Sequence, residues 1–78
     1  PNPFNPVTNI SYGLSEYSNV QISIFDLSGK KVASLINEFQ SSGYHSLDWN
    51  ATQHPSGVYF VKIIANEYIN TKKLILLK

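Results

Sequence analysis

The amino-acid sequence predicts an all-β fold, a sandwich of about seven antiparallel strands in two sheets. Three observations lead to this fold class. No stretch of the chain keeps the helical spacing of apolar side chains, short runs rich in β-branched and aromatic residues recur instead, and turn-forming residues separate those runs. Seventy-eight residues make one domain with a thin margin of stability. Because the chain has no cysteine, we expect the apolar core alone to stabilise it.

The chain opens on a stiff segment that leads into the first predicted strand. Three of residues 1–6 are prolines, which lack a backbone donor and favour extended neighbours. We interpret this segment as a proline-rich lead-in from an upstream domain. Residues 7–14 follow as a strand that places Ile10, Tyr12 and Leu14 on one face, because strand side chains alternate.

A hairpin is predicted next, from two antiparallel strands at residues 20–27 and 30–36. Asp26-Leu27-Ser28-Gly29 joins them, since an aspartate can accept hydrogen bonds from the turn backbone and a glycine tolerates positive φ. In the second strand we expect Val32 and Leu35 to be best buried. Their spacing of three does not fit strict alternation, so it predicts a β-bulge or an irregular end. The inward residues of the first strand are predicted to be Val20, Ile22 and Ile24.

The second half of the chain is predicted to hold three strands, at residues 44–49, 58–65 and 68–77. Loops are predicted at residues 37–43 and 50–57. Both faces of the strand at 58–65 carry apolar residues, which indicates a central strand. Trp49 follows Leu47 in alternation, so we expect it to be a core residue.

Composition limits the function classes. Net charge is +1 and 14% of residues are charged, and Lys30-Lys31 and Lys72-Lys73 do not form the basic stripe by which nucleic-acid-binding proteins neutralise phosphates. Without cysteine, and with only His45 and His54, a zinc site is not expected. No apolar run approaches the ~20 residues of a membrane-spanning helix. We therefore predict no nucleic acid, no metal, no cofactor and no membrane span.

Catalysis is not expected either. The five acidic residues are scattered over different turns and strands, and no serine lies in a nucleophile-elbow context. Asp48 and Asn50 could contribute oxygen ligands to calcium, but a calcium site usually needs more carboxylates. The sequence thus predicts no enzyme and no catalytic residue.

Three motifs stand in order along the chain: PNPFNP at residues 1–6 with ISYGL at 10–14, FDLSGKKV at 25–32, and SGVYFVKI at 56–63 with TKK at 71–73 and Lys78. Together, in this order and at these spacings, they resemble the C-terminal sorting domain of the type IX secretion system. They also resemble the related immunoglobulin-like domain of flagellar hook-capping proteins. The resemblance covers essentially the whole chain, residues 1–78, and implies a single immunoglobulin-like β-sandwich.

The resemblance also implies a function. Domains of this family lie at the C-terminus of exported bacterial proteins, transit the periplasm and direct a larger cargo across the outer membrane to the cell surface or medium. The implied partners are the outer-membrane secretion machinery, the upstream cargo domain and a sortase-like protease that removes the domain.

The same resemblance points to five residues for partner recognition. It implies that Gly57 supplies the turn into a strand, that Tyr59 anchors this strand, and that Lys72, Lys73 and Lys78 form a charged surface. The lysines also have a structural explanation, since lysine on an exposed terminal strand prevents edge-to-edge pairing. Addition of the terminal strand to a partner sheet is one mode of recognition that such a domain could use.

Two alternative functions stay open at this stage. One is a carbohydrate-binding or adhesive accessory module of a secreted hydrolase, for which exposed coplanar aromatic residues would be needed. Candidates are Tyr17, Tyr44 and Tyr68, and Trp49 if it were exposed. The other alternative is a structural domain of the hook-capping type.

Overall fold

Six β-strands and no helix make up the part of the chain that the computed structural model describes, residues 6–78. They form a two-stranded sheet of order β1-β4 and a four-stranded sheet of order β3-β2-β5-β6, and every pairing is antiparallel. The all-β class with two antiparallel sheets is confirmed, with six strands in the described residues where about seven were predicted. The predicted lead-in lies outside these residues, apart from Pro6. The strands are β1 (Val7–Leu14), β2 (Ser18–Asp26), β3 (Lys31–Gln40), β4 (Gly43–Asn50), β5 (Gly57–Ala65) and β6 (Tyr68–Leu76).

The core lies between the two sheets, where the inward-facing apolar residues of both sheets meet. Ile22 and Ile24 of β2 are fully buried, as predicted, and Val61 of the neighbouring β5 is 1% exposed. Full burial of such a side chain stabilises the fold by about 1.5–3 kcal/mol. The prediction that β5 is central is confirmed, because it pairs with β2 on one side and β6 on the other. The remaining core residues are Ile10, Leu14, Val20, Trp49, Ala51, Tyr59, Ile63, Ala65, Leu74 and Leu76.

Strand β3 shows the irregularity that its sequence predicts. Ile22 pairs with Ile36 and Ser23 with Ser34, so Leu35 is an extra residue between two ladder positions. A second register shift leaves Val32 as an extra residue in the same way. Both side chains are half-buried, as are those of Ala33 and Ile36, because β3 forms an edge of the sheet. The predicted bulge is confirmed, and the two residues expected to be best buried in this strand are both half-buried.

The loop predicted at residues 37–43 is largely strand. β3 continues to Gln40 and β4 begins at Gly43. The polar stretch is held in the sheet by β2, in which Val20 pairs with Glu38 and Asn19 with Phe39. A neighbouring strand therefore overrides the weak strand propensity of these residues.

The turn between β2 and β3 is organised by the carboxylate of Asp26, as predicted. Its Oδ1 accepts hydrogen bonds from the Ser28 hydroxyl at 2.6 Å, the Ser28 amide at 2.9 Å and the Lys30 amide at 3.0 Å. Gly29 takes φ +91°, which a residue with a side chain rarely adopts. The hydrogen bond from the Ser28 side chain and then that from the Lys30 backbone lower the pKa of Asp26.

A lowered carboxyl pKa in the folded state makes stability depend on pH. Asp26 contributes above its ordinary pKa of 3.8, and this contribution is lost as the pH falls through the lowered value in the folded state. We expect Asp26→Ala to lower the urea midpoint at pH 7, and the gap to the wild type to narrow as the pH falls below about 4. Glu67→Ala, in another turn, is the control and should change little. A gap that stayed constant down to pH 2 would contradict this role.

Candidate functional site

The residues assigned to partner recognition lie on β5, on β6 and just beyond it. Gly57 begins β5 opposite Leu76, and Tyr59 pairs with Leu74, so the start of β5 lies beside the end of β6. Lys78 follows at the same corner. The structure thus brings Gly57, Tyr59 and Lys78 together, together with the loop at residues 51–56. We call this region the loop corner.

Tyr59 is the buried centre of the loop corner. It is 4% exposed, and its hydroxyl donates a hydrogen bond of 2.6 Å to the carbonyl of Pro55. Its ring lies edge-on to Trp49, with centroids 5.4 Å apart. Burial, and then the charge of Asp26, raise the pKa of the phenol. Tyr59 therefore stays neutral at ordinary pH and fixes the loop to the core, so that a partner would not contact it directly.

The loop itself is held by its own backbone and by a histidine. The amide of Ala51 donates to the carbonyl of Pro6 at 2.9 Å, and the amide of His54 donates to the carbonyl of Ala51 at 2.9 Å. The ring of His54 packs against Trp49, with centroids 5.5 Å apart, and against Tyr59 at 6.2 Å. The sequence did not predict this packing of His54, because both aromatic partners lie in other elements and no local pattern marks the contact.

Lys78 and Gly57 close the loop corner. The Lys78 amide donates to Oγ of Ser56 at 3.1 Å, and its Nζ donates to the carbonyl of Thr52 at 2.6 Å. Gly57 has φ +155°, and a Cβ built there would have no atom within 4 Å. Glycine is therefore favoured by the backbone conformation and not by lack of space.

The lysine pair in β6 does not join this corner. Leu74 and Leu76 point into the core, so Lys72 projects on the same side of the sheet and Lys73 on the opposite side. Register agrees, since Lys72 pairs with the buried Val61 and Lys73 with the half-buried Phe60. The three lysines assigned to a charged surface thus lie at three separate places.

The family model for the secretion system C-terminal sorting domain matches residues 1–77. The chain belongs to this family. A search of curated proteins and a search of solved structures each gave no match. A sorting domain of this kind is in general non-catalytic, implies a larger upstream cargo and a secretion machinery, and indicates a secreted or cell-surface bacterial protein.

The aromatic residues of this sorting domain bear on the carbohydrate alternative. Trp49 is 3% exposed, so its ring is not available to stack on a sugar. Tyr17 and Phe39 are exposed, but they stack on each other with centroids 5.4 Å apart and planes 7° from parallel. Each ring therefore covers one face of the other. Tyr44 is 96% exposed, and no ring contact is found for it among the described residues.

Two further features of residues 6–78 concern metals and membranes. No group of three or more histidine, aspartate or glutamate side chains in this range is placed to hold a metal ion. No helix in the same range is long and apolar enough to cross a bilayer.

Proposed function

We propose that this sorting domain directs a larger cargo protein, joined upstream of it, from the periplasm across the bacterial outer membrane through the type IX secretion system. The observation that carries the proposal is the family match over residues 1–77 of a chain of 78. The domain itself catalyses no reaction. Its partners are the secretion machinery, the cargo and a sortase-like protease that removes the domain.

Burial at the loop corner supports recognition of a folded domain over recognition of a linear signal. Tyr59, a central residue of the third motif, is 4% exposed, and Gly57 is favoured for its backbone conformation. Neither presents a side chain that a partner could read from an extended peptide. Gly57 and Tyr59 therefore act by shaping the surface, and the contacts fall to exposed side chains on the sheets and turns.

Deletion and transplantation test the proposal in the parent's own host. Removing residues 1–78 from the parent should leave the cargo in the periplasm, and fusing them to an inert periplasmic reporter should bring the reporter to the surface or medium. Cell fractionation with quantitative blotting measures both. A matched reporter carries Ile24→Asp, which places a charge at a fully buried position and should unfold the domain. This reporter should remain in the periplasm.

Two outcomes would overturn the proposal. If both the truncated parent and the reporter localise as before, the domain does not sort, and binding to a glycan or a passive structural role explains it better. Export of the Ile24→Asp reporter at the level of the wild-type fusion would show that the fold is not what the machinery recognises.

A further inference from the structure

The outer face of the four-stranded sheet carries a row of residues that crosses all four strands. Phe25 of β2 pairs with Lys31 of β3 on one side and with Phe60 of β5 on the other. Phe60 in turn pairs with Lys73 of β6. Because paired residues share a face, the row reads lysine, phenylalanine, phenylalanine, lysine from one edge of the sheet to the other.

This row points away from the core. Along β2 the buried residues face the core and Phe25 faces the other way, because side chains alternate. Both phenylalanines are half-buried on the side of the sheet opposite the core. The ammonium group of Lys31 lies 6.0 Å from the centroid of the Phe25 ring. Val58 and Ile75, paired in the adjacent row, extend the apolar centre. Lys62 projects from the same face, two residues along β5.

The face carries three lysines and no acid. Asp26 and Glu38 pair with Tyr59 and Val20, so both lie on the inward side of the sheet. The other acidic residues lie elsewhere, in turns or in the two-stranded sheet: Glu16, Asp48 and Glu67. The remaining lysines are also off this face, at positions 30, 72 and 78. We call the surface formed by Phe25, Lys31, Val58, Phe60, Lys62, Lys73 and Ile75 the cationic face.

The dimensions of the cationic face suit a transient interface. Four strands spaced ~4.8 Å and the five residues 58–62 of β5, at ~3.3 Å each, give roughly 15 by 17 Å, or about 250 Å². A stable complex usually buries about 800 Å² on each partner, so a complex through this face alone would be short-lived. A domain that delivers cargo and is then released needs such an interface.

The chemistry of the face favours a protein partner over a lipid surface. Attraction to anionic lipids supplies about 1 kcal/mol for each lysine, so three lysines bind a membrane weakly. The phenylalanines are half-buried in the sheet and do not protrude as inserting side chains would. An apolar centre with charges at its edges is instead the anatomy of a protein interface, in which complementary charges steer association.

We propose that the cationic face docks onto an acidic protein surface with an apolar centre, belonging to a component of the secretion machinery. This inference depends on the proposed sorting function. It assigns recognition to Lys31, Lys62 and Lys73. All three lie within the family motifs, but only Lys73 is among the five residues that the resemblance assigns to partner recognition. Lys72 and Lys78 take no part in this contact.

Neighbouring lysines provide a matched test in the full-length parent. Lys31→Glu with Lys73→Glu reverses two charges on the cationic face, and Lys30→Glu with Lys72→Glu makes the same charge change one residue away and off the face. We expect the first pair to reduce export of the parent at least tenfold and the second less than twofold, as measured by fractionation. The urea midpoints of the two purified double variants should agree, which separates an effect on recognition from an effect on folding.

Each other outcome overturns this inference. Equal losses of export in the two double variants would mean that only the net charge of the domain matters. If neither double variant lost export while deletion of residues 1–78 still blocked it, the cationic face would not be the docking surface. The proposed sorting function would still hold. If deletion itself has no effect, the sorting function fails first. Flotation of the parent with phosphatidylglycerol vesicles but not with phosphatidylcholine vesicles, abolished by the Lys31 and Lys73 pair, would show that the face binds lipid.

Discussion

Replacement of Trp49 by alanine is expected to remove a large part of the free energy of unfolding of the sorting domain. Trp49 is 3% exposed and lies between His54 and Tyr59, where it joins the two-stranded sheet to β5. Truncation of a buried tryptophan costs about 3–5 kcal/mol, partly because the cavity does not collapse. A domain of this size has a total stability of roughly 4–12 kcal/mol, so the loss is a large part of the whole. Urea unfolding followed by far-UV circular dichroism measures it.

Tyr44 offers a matched control for the Trp49 variant. It lies on the same strand, β4, and is 96% exposed, so Tyr44→Ala should change the free energy of unfolding by no more than about 0.5 kcal/mol. Trp49→Phe should fall between the two, since a smaller ring keeps part of the packing. If the free energy of unfolding of Trp49→Ala lay within about 1 kcal/mol of the wild-type value, Trp49 would not be a core residue in solution.

The sequence was most informative where burial alternates strictly. In β2 the side chains of Val20, Ile22 and Ile24 are all fully buried, as a period of two predicts. It was least informative along β3, where Glu38 and its neighbours show no strand pattern. Those residues are strand because β2, the other strand of the hairpin, supplies their hydrogen-bond partners. The propensity of the residues taken alone does not include such pairing.

The same distinction applies to the candidate sites. The divergence of Lys72 and Lys73 follows from alternation along one strand and could be derived from the sequence. The row that joins Lys31 to Lys73 could not, because it depends on the register between β2 and β5. These strands are separated by the 30 residues from 27 to 56 and pair only in the folded chain. Local patterns therefore identify which residues project, and the register decides which of them form one surface.

Tyr59 is expected to affect export only through the stability of the fold. Tyr59→Phe removes the hydrogen bond to the Pro55 carbonyl and should cost about 1 kcal/mol, while the ring still packs against Trp49. Tyr59→Ala leaves a cavity in the loop corner and should cost about 3–5 kcal/mol. Export of the parent should thus be nearly normal for the phenylalanine variant and largely lost for the alanine variant. Urea midpoints and cell fractionation measure the two effects separately.

A core variant far from the loop corner distinguishes stability from recognition. Ile22 is fully buried in β2 and contacts no proposed partner, and Ile22→Ala should cost about 2–5 kcal/mol. When export is plotted against the free energy of unfolding, the variants at Ile22 and Tyr59 should lie on one curve, because the machinery would recognise only the folded population. A Tyr59 variant that exported far less than an equally stable Ile22 variant would show direct contact at the loop corner. Lys31 and Lys73 variants should fall below the curve, since they keep the fold and lose the surface.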